Sequence, residues 1–151
     1  MTQVVRFKME HLDQIKLRER EREGTAKIPH FRKVCEVYER HGGAYTMLSP
    51  EGIVCIEGVS PIWPGVAVAW SLTSDLIFKY PKSYYKATKQ FMAAIIEDWK
   101  IHRLQATTYA DDAVACNWLR HLGFEREGVM RSYGPDKSDH IMYAKVNQWT
   151  Q

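Results

Sequence analysis

The run Val66-Ala67-Val68-Ala69-Trp70-Ser71-Leu72 constrains this chain more than any other. It is apolar at odd and even positions alike, so a strand built from it has two faces to keep from water. Only a sheet covered on both sides does that. The run therefore predicts the central strand of an α/β fold. After it, Tyr84, Ala87, Phe91, Ala94, Ile95 and Trp99 recur at spacings of three and four and predict the longest helix, with Ser83 as its cap. RLQATTY (103–109) then alternates as a strand.

The flanking segments fall into the same two periods. Val4, Val5 and Phe7 predict a first strand, and Met9, Leu12 and Ile15 a helix leading into RERERE (18–23), which ends at Gly24 and reads as a solvated helix face. A second helix carries Phe31, Val34, Cys35 and Tyr38 behind Pro29 and stops at Gly42-Gly43. AYTML (44–48) and IVCIEGV (53–59) flank Ser49-Pro50-Glu51-Gly52 as a hairpin, followed by a loop with Pro61 and Pro64. Asp111-Asp112 caps a last helix with Val114, Ala115, Trp118, Leu119 and Leu122 on its apolar stripe. Gly123 stands where a left-handed C-terminal cap is wanted, with Phe124 folding back against that helix. Two strands, near 124–131 and 139–146, close the chain around Gly134-Pro135-Asp136.

With 151 residues, one domain spanning 1–151 is expected. Apolar residues make up 45% of the chain, enough to exclude disorder over most of it, yet no run is long enough to span a bilayer. The first residues, MTQVVRFKMEHLDQ, carry charges where a signal peptide needs an apolar stretch, and Cys35, Cys55 and Cys116 cannot all pair with one another, so a reducing cytoplasm is expected. A net charge of +3 from interspersed acids and bases does not indicate a nucleic-acid partner. His11, His30, His41, His102, His121 and His140 show no paired ligand spacing, so no metal is expected, and no Walker-type phosphate loop occurs.

The order of these elements, with Leu122-Gly123-Phe124 followed by Glu127-Gly128-Val129-Met130-Arg131, resembles the GNAT superfamily of acyl-CoA-dependent N-acetyltransferases, in particular its ribosomal-protein N-terminal acetyltransferase branch. Asp139 and Tyr143 match that branch's closing Asp and aromatic. The resemblance runs from Val66 to Val146 and implies a three-layer α/β fold, a mixed central sheet of about six to seven strands flanked by about four helices. It also implies a splayed parallel pair, 66–72 and 103–109, whose unpaired backbone holds the pantetheine arm of acetyl-CoA like a further strand. Trp70, Ser71 and Leu72 would offer main-chain groups to that arm. The pyrophosphate would sit on the N-terminus of the next helix, where free N–H groups and the dipole favour anions.

The family's phosphate loop, Arg/Gln-x-x-Gly-x-Gly/Ala, is not reproduced. Registered on Ala94-Ile95-Ile96, Ser83 stands at the Arg/Gln position and Lys86 and Thr88 at the glycine positions. A left-handed backbone at a non-glycine residue costs roughly 1–2 kcal/mol, at least as much as the roughly 0.3–1 kcal/mol an anion gains from an exposed helix dipole. Lys82 and Lys86, with Lys79, are the candidates to hold the phosphates by charge instead. The tyrosine that many members place on the last helix falls at Leu119. Amine acetylation needs a group to accept the amine proton, for which Glu57 and Asp75 are the first candidates and His140 another. Cys116 is either a thiol able to approach a thioester or a small core residue.

Thr73-Ser74-Asp75-Leu76-Ile77-Phe78, running into a lysine-rich helix without glycines, also looks like small GNAT-like proteins of short-tailed bacteriophages, including internal virion proteins. Two functions are therefore expected to compete. One is an acetyl-CoA-dependent N-acetyltransferase acting on a primary amine of a protein or small molecule. The other is a catalytically degenerate GNAT-fold phage protein, working in the host cytoplasm or virion, that binds a host or virion protein through aromatics such as Tyr80, Tyr84, Tyr85 and Trp149.

Overall fold

The computed structural model describes residues Met1–Asn147; Trp149 lies outside them. The elements in chain order are β1 (Gln3–Arg6), α1 (Glu10–Gln14), α2 (Glu19–Thr25), α3 (Phe31–His41), β2 (Ala44–Ser49), β3 (Gly52–Trp63), β4 (Val66–Thr73), a 3-10 turn (Asp75–Phe78), α4 (Pro81–Asp98), β5 (Arg103–Tyr109), α5 (Ala113–His121), β6 (Glu125–Met130) and β7 (His140–Val146). The strands form one mixed sheet in the order β1-β2-β3-β4-β5-β7-β6. β4 and β5 run parallel, and β1–β2, β2–β3, β5–β7 and β6–β7 pair antiparallel. This is the α/β architecture that a strand with two apolar faces requires. Among the described residues, no helix is long and apolar enough to cross a membrane.

Two compact units are distinguishable, Met1–Ser60 with Trp70–Met92, and Pro61–Ala69 with the chain from Ala93 onward. In the first, Phe7, Cys35, Ala44, Ile53, Ile56 and Leu72 form a buried cluster. The Trp70 ring stacks on Tyr38 at 4.3 Å and meets Phe7 edge-on at 6.4 Å. Gly58 makes room for that indole, because a Cβ there would lie 2.4 Å from Trp70 and 2.7 Å from the Gly43 carbonyl. Helix α3 stops at Gly42 in the left-handed conformation, φ +68°, as the glycine pair suggests.

Three local expectations for this unit are corrected. The first helical segment is two short helices, because Ile15 is extended and Leu17 bridges to Ser74. RERERE is not a wholly solvated face. The side chains of Arg18 and Glu21 are only 13% and 14% exposed, paired at 3.0 Å, and bonded to Thr73. Ser83 does not cap α4, which starts two residues earlier with Pro81 in its first helical position, where a missing N–H costs no helical bond.

In the second unit, β5 has β7 along its full length, from Arg103↔Val146 to Tyr109↔His140. Strand β3 continues to Trp63 through Pro61, so the expected Pro61–Pro64 loop shrinks to Pro64-Gly65, with Gly65 at φ +85°. Asp112 caps α5, its carboxylate accepting the Ala115 N–H at 3.1 Å. The C-terminal end of α5 is a Schellman motif. Phe124 N–H donates to the Leu119 carbonyl and Gly123 N–H to the Arg120 carbonyl, both at 3.0 Å, with Gly123 at φ +92° and Phe124 buried. The Leu-Gly-Phe junction is thus the helix stop that its residues suggest.

Candidate active site

The site grows from one buried carboxylate. Glu57 lies on β3, opposite Tyr45 of β2 across the hairpin, and is 5% exposed. Four hydroxyls converge on it. Tyr45 donates to Oε1 through a short hydrogen bond and Thr88 does so at 2.6 Å, while Ser71 and Tyr84 donate to Oε2 at 2.9 and 3.1 Å. Tyr84 and Thr88 come from α4, one helical turn apart, and Ser71 from β4. No Lys, Arg or His bonds this carboxylate among the described residues. Burial pushes its protonation equilibrium above the usual carboxylate range, and the hydroxyl bonds only partly offset this. The Tyr45 and Tyr84 hydroxyls are pushed up in turn, first by burial and then by the neighbouring Glu57 charge.

The open edge of β4 is the second component. Pairing with β5 covers Val66↔Arg103 to Val68↔Gln105. Farther along, Ser74 N–H donates to the Val54 carbonyl of β3 at 3.0 Å. Thr73 faces the other edge, its N–H donating to Glu21 Oε1 at 2.8 Å and its carbonyl accepting the Arg18 N–H at 2.9 Å. Main-chain groups alternate between edges along a strand, so Ser71 turns its N–H and C=O to the Thr73 edge, and Trp70 and Leu72 turn theirs toward β3. Among the described residues, Ser71 has no main-chain partner on that edge. That edge therefore presents one N–H and one C=O in strand geometry.

The helix N-terminus fits a pyrophosphate less well. Pro81 has no N–H, Tyr84 N–H is taken by the Tyr80 carbonyl at 2.9 Å, and no residue from Thr73 to Lys89 has positive φ. The positions registered on the family's glycines, Lys86 and Thr88, lie inside α4, so a glycine cradle is replaced by regular helix. Lys82 and Lys86 are exposed and one turn apart, while Lys79 is ion-paired with Glu51, which also accepts the Tyr80 hydroxyl at 2.5 Å.

The structure brings Glu57 and Ser71 together, with a hydrogen bond of 2.9 Å. Asp75 is exposed in the first position of the 3-10 turn. Trp70 and Leu72 put their side chains into the core. In the second unit, His140 is buried against Tyr109 and Tyr133, with ring centroids at 4.4 and 5.2 Å, and Cys116 is buried with its thiol 3.9 Å from the Tyr109 carbonyl. Of the aromatics considered as binding anchors, Tyr84 is 3% exposed and serves Glu57 instead. No cluster of His, Cys, Asp or Glu able to hold a metal ion occurs among the described residues.

Sequence reasoning missed Tyr45 and Thr88 as partners of Glu57, and Glu21 as the partner of Thr73. For Tyr45 a partial signal existed. A hairpin closed at Ser49 and Gly52 without interruption sets Tyr45 against Ile56, and the bulge between Met47 and Leu48 moves it one place, onto Glu57.

No protein-family model matches the sequence, and neither does any curated protein. Solved structures match along nearly the whole chain. Ard1 from Thermoplasma volcanium superposes with a TM-score of 0.77 at 9% identity, covering 96% of this chain and 97% of that one. The chain has the GNAT fold. Ribosomal-protein-S5-alanine acetyltransferase from Vibrio fischeri has the same fold, with a TM-score of 0.68 at 17% identity over 99% of this chain and 96% of that one. RimL, a ribosomal L7/L12 alpha-N-protein acetyltransferase in complex with coenzyme A, gives 0.67 at 16% over 96% and 93%. The bacteriophage resemblance draws no support from these GNAT-fold neighbours.

Proposed function

We propose that this protein is an acetyl-CoA-dependent N-acetyltransferase that acts on a primary amine of a protein or small molecule in the cytoplasm, as a single functional domain. The observation that carries the reading is the main-chain pair of Ser71 on the open edge of β4, beside the buried carboxylate of Glu57, which four hydroxyls and no cation bond among the described residues. When bound, acetyl-CoA supplies an activated acetyl group as a thioester. Ser71 N–H and C=O would hold its pantetheine amides in register, and Lys82 and Lys86 would hold its phosphates by charge. Glu57 would accept the proton that the amine loses on acylation, a task suited to a carboxylate whose affinity for protons is raised by burial. Asp75, exposed at the 3-10 turn, is the alternative base.

The regular helix in place of a glycine cradle favours a second reading, a GNAT scaffold that binds another protein and transfers nothing. One experiment separates the two. The purified protein is titrated calorimetrically with acetyl-CoA and then assayed for acetyl transfer to primary amines. Saturable binding with transfer supports the enzyme. Failure to bind acetyl-CoA at millimolar concentration, in a protein that melts cooperatively, removes it and leaves the binding scaffold.

A further inference from the structure

Glu57 is 5% exposed. Three of its four hydroxyl partners are themselves buried, Tyr45 at 5%, Tyr84 at 3% and Thr88 at 4% exposure. The fourth, Ser71, is exposed, and its hydroxyl donates to Glu57 Oε2 at 2.9 Å. The groups that face the carboxylate from the packed elements are Tyr45 of β2, Cys55 of its own strand, Ser71 of β4, and Tyr84 and Thr88 of α4. Of these, Ser71 alone is an exposed residue, and a hydroxyl can accept a proton on one lone pair while giving up its own.

We infer that the Ser71 hydroxyl is the path by which Glu57 exchanges protons with the exterior and, in acetyl transfer, takes the proton of the acceptor amine. The balance is simple. The amine N–H bond breaks as a new O–H bond forms at Ser71 Oγ, and the original Ser71 O–H bond breaks as a proton joins Glu57 Oε2. Ser71 is then neutral again, with no change of oxidation state. Ser71 thereby has two separable roles, its main chain toward an extended ligand and its side chain toward protons. The catalytic part rests on the acetyltransferase reading; the proton path does not.

The test follows the Glu57 side-chain carboxyl carbon by NMR through its titration in the full chain, with Glu57→Gln identifying the resonance. In parallel it measures transfer from acetyl-CoA to spermidine and to an alanine-terminated peptide. In the wild type one resonance should move continuously, because proton exchange is fast. Ser71→Ala should broaden or split that resonance and lower transfer roughly 10²-fold, with KM for acetyl-CoA unchanged because the main chain is intact. Ser71→Thr, which keeps the hydroxyl, should restore both. An unaltered line shape and an unaltered rate in Ser71→Ala overturn the relay and leave the acetyltransferase reading standing. A slowed exchange in a protein that acetylates neither acceptor supports the path and overturns its catalytic use together with that reading.

Discussion

Glu21 accepts the main-chain N–H of Thr73 at 2.8 Å, so that a side chain of α2 completes the last residue of β4 as a neighbouring strand would. The same carboxylate takes the Thr73 hydroxyl and pairs with Arg18 at 3.0 Å. Removing it takes the acceptor from the N–H of Thr73, which is 5% exposed, and ends the Arg18 ion pair, while Arg18 Nε keeps its bond to Thr73 Oγ1 at 2.9 Å. Glu21→Ala should therefore lower stability by about 1–3 kcal/mol, and Glu21→Gln, which keeps one acceptor, by less. Urea unfolding measures both. Equal midpoints for wild type and Glu21→Ala would mean that α2 does not secure the strand end.

Glu57 makes the stability of the fold depend on pH in a defined direction. Burial raises its protonation equilibrium in the native state, so the folded form favours the protonated acid. That contribution is complete below the unfolded-chain value of about 4.3 and is lost as pH rises through the higher native value. The wild type should thus lose stability relative to Glu57→Gln as pH rises through this window. Glu21 is raised by burial as well, but it is common to both proteins and cancels in the comparison. Thermal melts of the pair across a pH series decide it; a difference that stays constant would mean that the carboxyl binds protons equally well in both states.

Gly123→Val should destabilise the protein by roughly 1–2 kcal/mol, the cost of a left-handed backbone at a non-glycine residue. Gly123 has φ +92°, and a Cβ would also come within 3.5 Å of Lys145 Nζ, which donates to the Leu122 carbonyl. The midpoint of thermal unfolding reports the loss, and an unshifted midpoint would contradict the Schellman geometry.

The legible parts of this molecule were those set by local rules. The two apolar faces of 66–72 demanded a covered sheet, Gly42 and Gly123 marked the ends of their helices, and Asp112 marked a start. What escaped was set by pairing at a distance. The bulge at Met47/Leu48 turns Tyr45 onto Glu57, and no local pattern announces a one-residue slip. Glu21 looked like one charge of six in a solvated run, because burial of one position in an alternating segment depends on what packs against it. Glu57 itself was visible as a lone acid in an apolar strand, but its hydroxyl shell was assembled from β2, β4 and α4. Ser83 was misread as a cap because its preference for helix starts competes with that of Pro81, and both stand within one turn.

Lys82 and Lys86 stand exposed on α4, one helical turn apart. Backbone N–H groups of a glycine loop grip phosphate at short range and respond little to salt, whereas two exposed ammonium groups on α4 act through a screened field. If these lysines hold the phosphates of acetyl-CoA, Lys82→Gln/Lys86→Gln should leave folding intact. At roughly 0.2–1 kcal/mol for each exposed pair, it should weaken CoA binding by a factor of roughly 2 to 30. Raising salt from about 0.1 M to about 1 M shortens the Debye length from about 10 Å to about 3 Å, and should weaken binding in the wild type more than in the double mutant. Calorimetry of CoA against both proteins at the two salt concentrations measures this, with dephosphorylated pantetheine as a ligand that keeps the amides but has no phosphate. Pantetheine should bind both proteins alike, through Ser71. Binding of CoA that neither salt nor the double substitution alters would place the phosphates elsewhere, on main-chain donors that α4 does not provide.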